Sequence, residues 1–140
     1  MTNAEKLNEL ASGLNDVALE NSLTLSSEVV NGDVDVLVVT VEDREEFPIY
    51  GTVDDSQILC ICHIWTEAEV NKDRRAELLD VMLTMNVPMP LSSFSKLGNQ
   101  YLIFGALASS SSLNEVIEEI EVLSDNTLTA IEELSEFLVK

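Results

Sequence analysis

The segment Cys60-Ile61-Cys62-His63 contains the residue types that most often bind zinc, because thiolates and imidazole are its usual ligands. The segment alternates like a β-strand, which turns Cys60 and Cys62 to one face and His63 to the other. The two cysteine Cα atoms would lie about 6.6 Å apart, near the upper limit for a disulfide, and His63 could not reach the same ion. We therefore expect buried core cysteines, with no metal site and no cofactor.

His63 is the only histidine, so a general base that titrates near neutral pH would have to be this residue. Its predicted strand face is apolar, with Leu59, Ile61 and Trp65, and no nucleophile can be assigned to it. The glycine-rich phosphate loops, the G-x-S-x-G turn and the H-E-x-x-H motif are also missing. We predict no catalytic residues and no enzyme activity. The alternative is a small enzyme or ligand-binding domain with a pocket near His63, Trp65 and Tyr101.

The 140 residues include 26 Asp and Glu against 7 Lys and Arg, a formal net charge of −19. Such a surplus repels nucleic acid and anionic membrane surfaces, and it favours basic or neutral protein partners. A DNA mimic, whose carboxylates imitate phosphates, is a further alternative. The only basic cluster is Lys72, Arg74 and Arg75, which is too small for a nucleic-acid footprint. We expect these cations to pair with acidic neighbours or with a second subunit.

The C-terminal segment after Ser112 has eight acidic residues and a single cation, Lys140. Like charges three and four residues apart destabilise a helix slightly, so another factor must compensate for them. One interpretation is a solvated face on a helix held by its apolar stripe. The other is a docking face for a basic partner, with the candidate residues Glu118, Glu119, Glu132 and Glu133.

Hydrophobic periodicity predicts three helices and six strands. The predicted elements are a helix ending near Ala18, strands at 23–29, 34–41, 47–53 and 57–65, a helix at 73–85, strands at 92–97 and 100–108, and a last helix at 113–138. Asn31-Gly32 and Gly98-Asn99 are typical of tight hairpins, because both residue types tolerate positive φ. The order α-β-β-β-β-α-β-β-α predicts an α+β domain over residues 1–140, an antiparallel sheet of five or six strands covered by three helices.

The predicted strand at 57–65 has apolar residues on both faces, which implies that both faces are covered, by helices or by a partner. Together with the strand at 100–108, it offers more apolar surface than three helices easily cover. We therefore expect a homodimer. The longest apolar run is far below the ~20 residues that a spanning helix needs, and two cysteines give no secreted-type disulfide framework. We expect a cytoplasmic protein with no direct membrane insertion.

The segments Gln57-Ile58-Leu59-Cys60 to Trp65, Met89-Pro90-Leu91-Ser92-Ser93-Phe94 and Tyr101 to Leu107 resemble an uncharacterised bacterial family typified by YjfI. The element order and acidity resemble the small dimeric class I chaperones of type III secretion. These resemblances imply a chaperone-like or adaptor-like protein, with a role in stress responses. With the charge surplus, they predict a non-enzymatic acidic protein-interaction module.

Overall fold

The computed structural model describes all of residues 1–140 and contains three α-helices and one six-stranded antiparallel sheet. The helices are α1 (Asn3–Leu14), α2 (Arg75–Met85) and α3 (Leu113–Leu134), and the strands are β1 (Leu25–Val30), β2 (Val36–Val41), β3 (Ile49–Val53), β4 (Gln57–Thr66), β5 (Ser93–Leu97) and β6 (Gln100–Ala108). The strand order in the sheet is β1-β2-β3-β4-β6-β5. The predicted fold class and the predicted order of elements are confirmed.

Side-chain caps fix where α1 and α3 begin. The Thr2 hydroxyl accepts a hydrogen bond from the Glu5 amide at 3.1 Å. Ser112 and Glu115 form a full capping box, in which each side chain accepts from the other residue's amide. Helix α3 is a single helix of 22 residues, and the chain leaves it through a short 3-10 turn at Ser135–Phe137.

The two predicted tight hairpins have different outcomes. Gly98-Asn99 forms one, because Leu97 pairs with Gln100 and Gly98 has a φ of 58°. The prediction for Asn31-Gly32 is wrong, since β1 and β2 pair only from Val30 and Val36, which leaves a loop over residues 31–35. The first predicted helix is also too long, because α1 ends at Leu14.

The helices lie on one side of the sheet, which we call the covered face. Helix α1 packs on β1, β2 and β3, and α3 packs on β4 and β6. Helix α2 lies beside the β5 end, where Leu79 and Met82 line a groove with Phe94 and Tyr101. A core of 25 buried residues fills the space between the helices and this face. Burial at this scale is the main stabilising contribution to the fold.

The other side, which we call the open face, has no helix over it. Every second residue of each strand belongs to this face. In β4 these residues run from Gln57 to His63. In β1, β2, β3, β5 and β6 the first such residues are Ser26, Val36, Tyr50, Ser93 and Gln100. In β4, Cys60 and Cys62 on the covered face are buried, Leu59 and Ile61 on the open face are half-buried, and His63 is exposed. The expectation that helices could cover both faces of this strand is therefore wrong.

A β-bulge in β4 changes the direction of Trp65. The register passes from His63 opposite Leu102 to Thr66 opposite Gln100, so two β4 residues face the single β6 residue between them. Trp65 consequently turns to the covered face, although strict alternation predicts that it shares the face of His63. The bulge is a feature that the period-two pattern cannot reveal.

Side chains cover backbone groups at both edges of the sheet. At β1, the Ser27 amide donates to Asn15 Oδ1 at 3.1 Å and the Leu25 amide donates to the Val17 carbonyl oxygen at 2.9 Å. At β5, the Phe94 amide donates to Asn86 Oδ1 at 2.7 Å. Neither edge therefore presents an uninterrupted row of free amides.

Candidate partner-binding surfaces

The four glutamates predicted to form one docking face lie in two environments. Glu118, Glu132 and Glu133 are exposed on α3, whereas Glu119 is 3% exposed and faces the sheet. Helical geometry explains the difference, because Glu119 follows Val116 by three residues and precedes Leu123 by four, and both belong to the buried stripe. The structure therefore places three of these residues on the surface and excludes Glu119 from it.

A groove of about 550 Å³ runs between α3 and the segment that follows α1. Apolar side chains and four carboxylates line it: Ala18, Leu19, Ile117, Val122, Glu20, Glu118, Glu121 and Asp125. Among the carboxylates, only Asp125 has an ion-pair partner, Arg44, at 2.7 Å. Glu121 Oε1 accepts a hydrogen bond from the Glu20 amide at 3.2 Å, which holds the two walls together. The groove therefore offers apolar contact with unneutralised negative charge around it.

Sequence reasoning found Glu118 but missed Glu20 and Glu121. Glu121 follows Glu118 by three residues on the same helix, and that spacing could have placed both at one wall. Glu20 lies in an irregular segment after α1, whose path is set by tertiary contacts and by the positive φ of Asp16. No local pattern predicts that this segment reaches α3.

Glu119 is the one charged residue that the fold buries. Its Oε1 atom has no hydrogen-bond partner, which is costly for a buried carboxyl group. Burial, with a smaller contribution from the adjacent Glu118 carboxylate, raises the pKa of Glu119 to about 7. Burial also raises the pKa of the Cys60 thiol to about 12, with a smaller contribution from Glu119. Near neutral pH, the interior beneath α3 thus contains a carboxyl group close to its titration point.

Gly105 provides the space that Glu119 occupies. A β-carbon at Gly105 would overlap the Glu119 carboxyl group and would lie 2.9 Å from the Leu91 carbonyl oxygen. Leu91 has a φ of 61°, and Asn126 Nδ2 holds the adjoining segment by donating to the Pro90 carbonyl oxygen at 2.9 Å. A residue without a side chain is therefore required where β6 passes beneath α3.

The open face is nearly free of charge. Among its strand positions the only charged residue is Glu28, at the β1 edge of the sheet. Its centre consists of apolar and aromatic side chains: Val38, Tyr50, Leu59, Ile61, Leu102 and Phe104. Leu102 is buried although it lies outside the main core. The open face thus has a mostly half-buried apolar centre, although the chain has a net charge of −19 and its other carboxylates lie elsewhere.

His63, Trp65 and Tyr101 do not form one pocket. His63 is exposed on the open face, where its ring lies 5.3 Å from that of Tyr50. Trp65 and Tyr101 are buried on the covered side, with ring centroids 6.2 Å apart. The sheet separates the histidine from the other two side chains, so this structure does not support the predicted pocket.

Glu67 pairs with Arg75 of the basic cluster and also with Lys96. It accepts hydrogen bonds from Arg75, from Lys96 at 2.8 Å and from the Tyr101 hydroxyl at 3.0 Å. The Arg75 hydrogen bonds, followed by that of Lys96, lower the pKa of Glu67 to about 2. Arg74 pairs with Glu77 and Glu136. The prediction that Arg74 and Arg75 pair with acidic neighbours is confirmed.

Cys60 and Cys62 are free, buried thiols, as predicted. No group of three or more His, Cys, Asp and Glu side chains is arranged to hold a metal ion. None of the helices combines the length and apolar character needed to cross a membrane.

A six-stranded antiparallel sheet with three helices defines a class of α+β fold to which known structures are similar. The chain is similar to E. coli YbjN, with a TM-score of 0.63, 14% identity and coverage of 95% of this chain and 94% of that one. It is similar to a chain in the structure of the Yersinia pestis type III secretion chaperone SycH with a stable fragment of YscM2 (TM-score 0.57, 16% identity, 91% and 98% coverage). A chain of the ExsC–ExsE complex is also similar (TM-score 0.51, 11% identity, 91% and 92% coverage).

The chain belongs to the family described as an uncharacterized protein conserved in bacteria, DUF2170, whose model matches residues 4–138. No curated protein matches the chain. The expected likeness to type III secretion chaperones is confirmed at the level of the fold. The expected relation to YjfI remains a prediction, because the family description does not name it.

Proposed function

We propose that this protein is a non-enzymatic protein-interaction module, chaperone-like or adaptor-like, that binds a basic or neutral segment of a partner protein in the cytoplasm. The observation that carries the proposal is the groove between α3 and residues 18–20. Its apolar residues can bury apolar side chains of a partner, and its unpaired carboxylates can attract Lys and Arg around them.

The charge of the whole chain supports this choice of partner. A net charge of −19 gives a field that accelerates the approach of basic proteins and repels acidic ones. Two chains of similar fold were solved in complexes with another protein, SycH with a YscM2 fragment and ExsC with ExsE. By that analogy of fold, we propose protein binding here as well. The suggested role in stress responses depends only on the family resemblance.

Four glutamates of α3 provide a direct test by affinity capture from a bacterial lysate. One variant, Glu118→Gln with Glu121→Gln, neutralises the groove, and a second, Glu132→Gln with Glu133→Gln, neutralises the far end of the helix. Gln and Glu have similar helix propensities, so both variants should keep α3 intact. The matched control, Glu9→Gln with Asp80→Asn, removes two exposed charges from α1 and α2. It leaves the α3 surface unchanged.

We expect a partner that the parent and the control retain and that the groove variant loses. Its association with the purified protein should slow markedly between about 50 and 500 mM salt, because screening acts over roughly 8 Å at physiological ionic strength. Loss with the second variant alone would move the docking face to Glu132 and Glu133. Equal capture by all four proteins would show that the acidic helix is only a solvated surface. Captured DNA-binding proteins that DNA displaces would instead indicate a DNA mimic.

A further inference from the structure

We infer that the open face is the interface of a homodimer, in which two copies pack sheet against sheet with their helices outside. The first argument is charge. Each copy carries −19, so a stable contact between two copies requires a surface without carboxylates. The open face is such a surface, since Glu28 is its only charged residue and lies at the β1 edge. A basic partner, by contrast, has nothing to pair with on this face.

The second argument is the position of the acidic helices in the dimer. Sheets that pack face to face lie about 10 Å apart, and each helix layer adds about 10 Å. In the proposed dimer, the two acidic helix layers therefore lie on opposite outer surfaces, roughly 30 Å apart. This separation exceeds the Debye length of about 8 Å several times over, so repulsion between the two layers is screened. A contact through α3 would instead bring Glu118, Glu132 and Glu133 of both copies together.

The third argument is size and shape. Six strands about 4.8 Å apart and about six residues long give a face of roughly 29 Å by 20 Å, close to 600 Å² in projection. Side-chain relief increases the accessible area, which reaches the order of the ~800 Å² per partner found in stable interfaces. The apolar centre is formed by Tyr50, Ile61 and Phe104 on three neighbouring strands. Two-fold symmetry places this patch against its own copy.

A charge placed at the centre of the face tests the inference without any partner protein. Ile61 lies between Tyr50 and Phe104 in the register of β4. In the variant Ile61→Glu, each copy would place a new carboxylate against the apolar centre of the other, and we expect dimer affinity to fall at least 100-fold. The matched control Leu83→Glu adds the same charge on α2, where Leu83 is 70% exposed, and should leave the dimer intact.

Sedimentation equilibrium between about 1 and 100 µM should give twice the 15.4 kDa chain mass for the parent and the control, and one chain mass for Ile61→Glu. His63 supplies a second readout in the unaltered protein, because it is the only histidine and is exposed on this face. Its rate of modification by diethyl pyrocarbonate should fall severalfold over the concentrations at which the mass doubles. This measurement decides the matter even if Ile61→Glu does not fold.

Three results would overturn the inference. The first is a parent that has the mass of one chain at every concentration. The second is a folded Ile61→Glu variant that dimerises as tightly as the parent, which would place the interface elsewhere. The third is a parent dimer in which the reactivity of His63 does not depend on concentration. Each result leaves the binding of a basic partner in the α3 groove open to its own test, because that test uses different residues.

Discussion

The two sides of the sheet differ most in their charged residues. On the helix side, exposed carboxylates cover α3, a buried carboxyl group lies beneath it at Glu119, and the groove beside it has an acidic rim. On the open face, one carboxylate lies at the edge and the centre is apolar. The comparison shows that a net charge describes a chain poorly, because the same molecule has one surface rich in carboxylates and another that is nearly free of charge.

The largest change in the free energy of unfolding should come from the buried carboxyl group on the helix side. In the unfolded chain Glu119 ionises near pH 4.5, and in the folded protein its pKa is about 7. The folded state therefore retains the proton longer, so the contribution of Glu119 to the free energy of unfolding is full below pH 4.5. It falls by roughly 3 kcal/mol as the pH rises to about 7. Urea unfolding from pH 4 to 8 measures this change.

The variant Glu119→Gln isolates that effect, because subtracting its unfolding free energy from that of the parent cancels the titration of all other groups. The stability of the variant relative to the parent should rise by up to about 3 kcal/mol between pH 4.5 and 8. Glu132→Gln, at an exposed position of the same helix, is the matched control for removing one carboxylate from α3. A flat difference for Glu119→Gln would show that the buried carboxyl does not titrate as expected.

Gly105→Ala should give the next largest loss of stability, and its neighbour Ala106, on the opposite face of β6, provides the control. Gly105→Ala introduces a β-carbon into the space of the Glu119 carboxyl and should lower the free energy of unfolding by about 2 kcal/mol. Ala106→Ser changes an exposed position of the open face and should stay within about 0.5 kcal/mol. Thermal and urea unfolding at low protein concentration measure both. Combining Gly105→Ala with Glu119→Ala should recover part of the loss, and strict additivity would argue against the contact.

Arg44 makes the only ion pair on the rim of the acidic groove, and its loss should have an intermediate effect. It donates to Ser124 Oγ at 2.9 Å and to Asp125 Oδ1 at 2.7 Å, and its side chain is 17% exposed. Arg44→Gln should lower the free energy of unfolding by about 1 kcal/mol, because a charged hydrogen bond between a loop and α3 is lost. Arg74→Gln, at a site whose two ion pairs are both more exposed, should lower it less. Equal losses would mean that burial does not distinguish the two sites.

The smallest change in the free energy of unfolding should come from repulsion between like charges on the surface. Glu118 lies three residues from both Glu115 and Glu121 on α3, so Glu118→Gln should raise the free energy of unfolding by a few tenths of a kcal/mol. The gain should vanish in about 1 M salt. Glu28→Gln on the open face should give no gain, because the residue opposite Glu28 is Val38. Stability gains of the same size for both variants would contradict the expectation that only the helix side has repulsion between neighbouring carboxylates.

The sequence was sufficient to predict the order of elements, because helical and strand periodicities are local properties of the chain. It also predicted buried thiols at Cys60 and Cys62 and the pairing of Arg74 and Arg75 with acidic neighbours. The boundaries were less accurate where tertiary contacts decide them, as at the end of α1 and at the start of β2.

The candidate site could be predicted only in part. The abundance of carboxylates on α3 is visible in the sequence, but the turning of Glu119 into the core is coupled to the space at Gly105, fourteen residues away in the chain. The separation of His63 from Trp65 depends on a bulge that strict alternation does not contain. The open face emerges only once all three helices are known to lie on one side.

The hydrogen bonds at the sheet edges have a consequence for how far assembly can proceed. A pair of copies that meet through their open faces uses that surface completely, so a third copy could be added only along a strand edge. There, the amides of Ser27 and Phe94 already donate to Asn15 and Asn86, which removes them as templates for an incoming strand. Growth into fibres or sheets is thus disfavoured at both strand edges. Self-association should stop at a closed particle even when the protein is abundant in the cell.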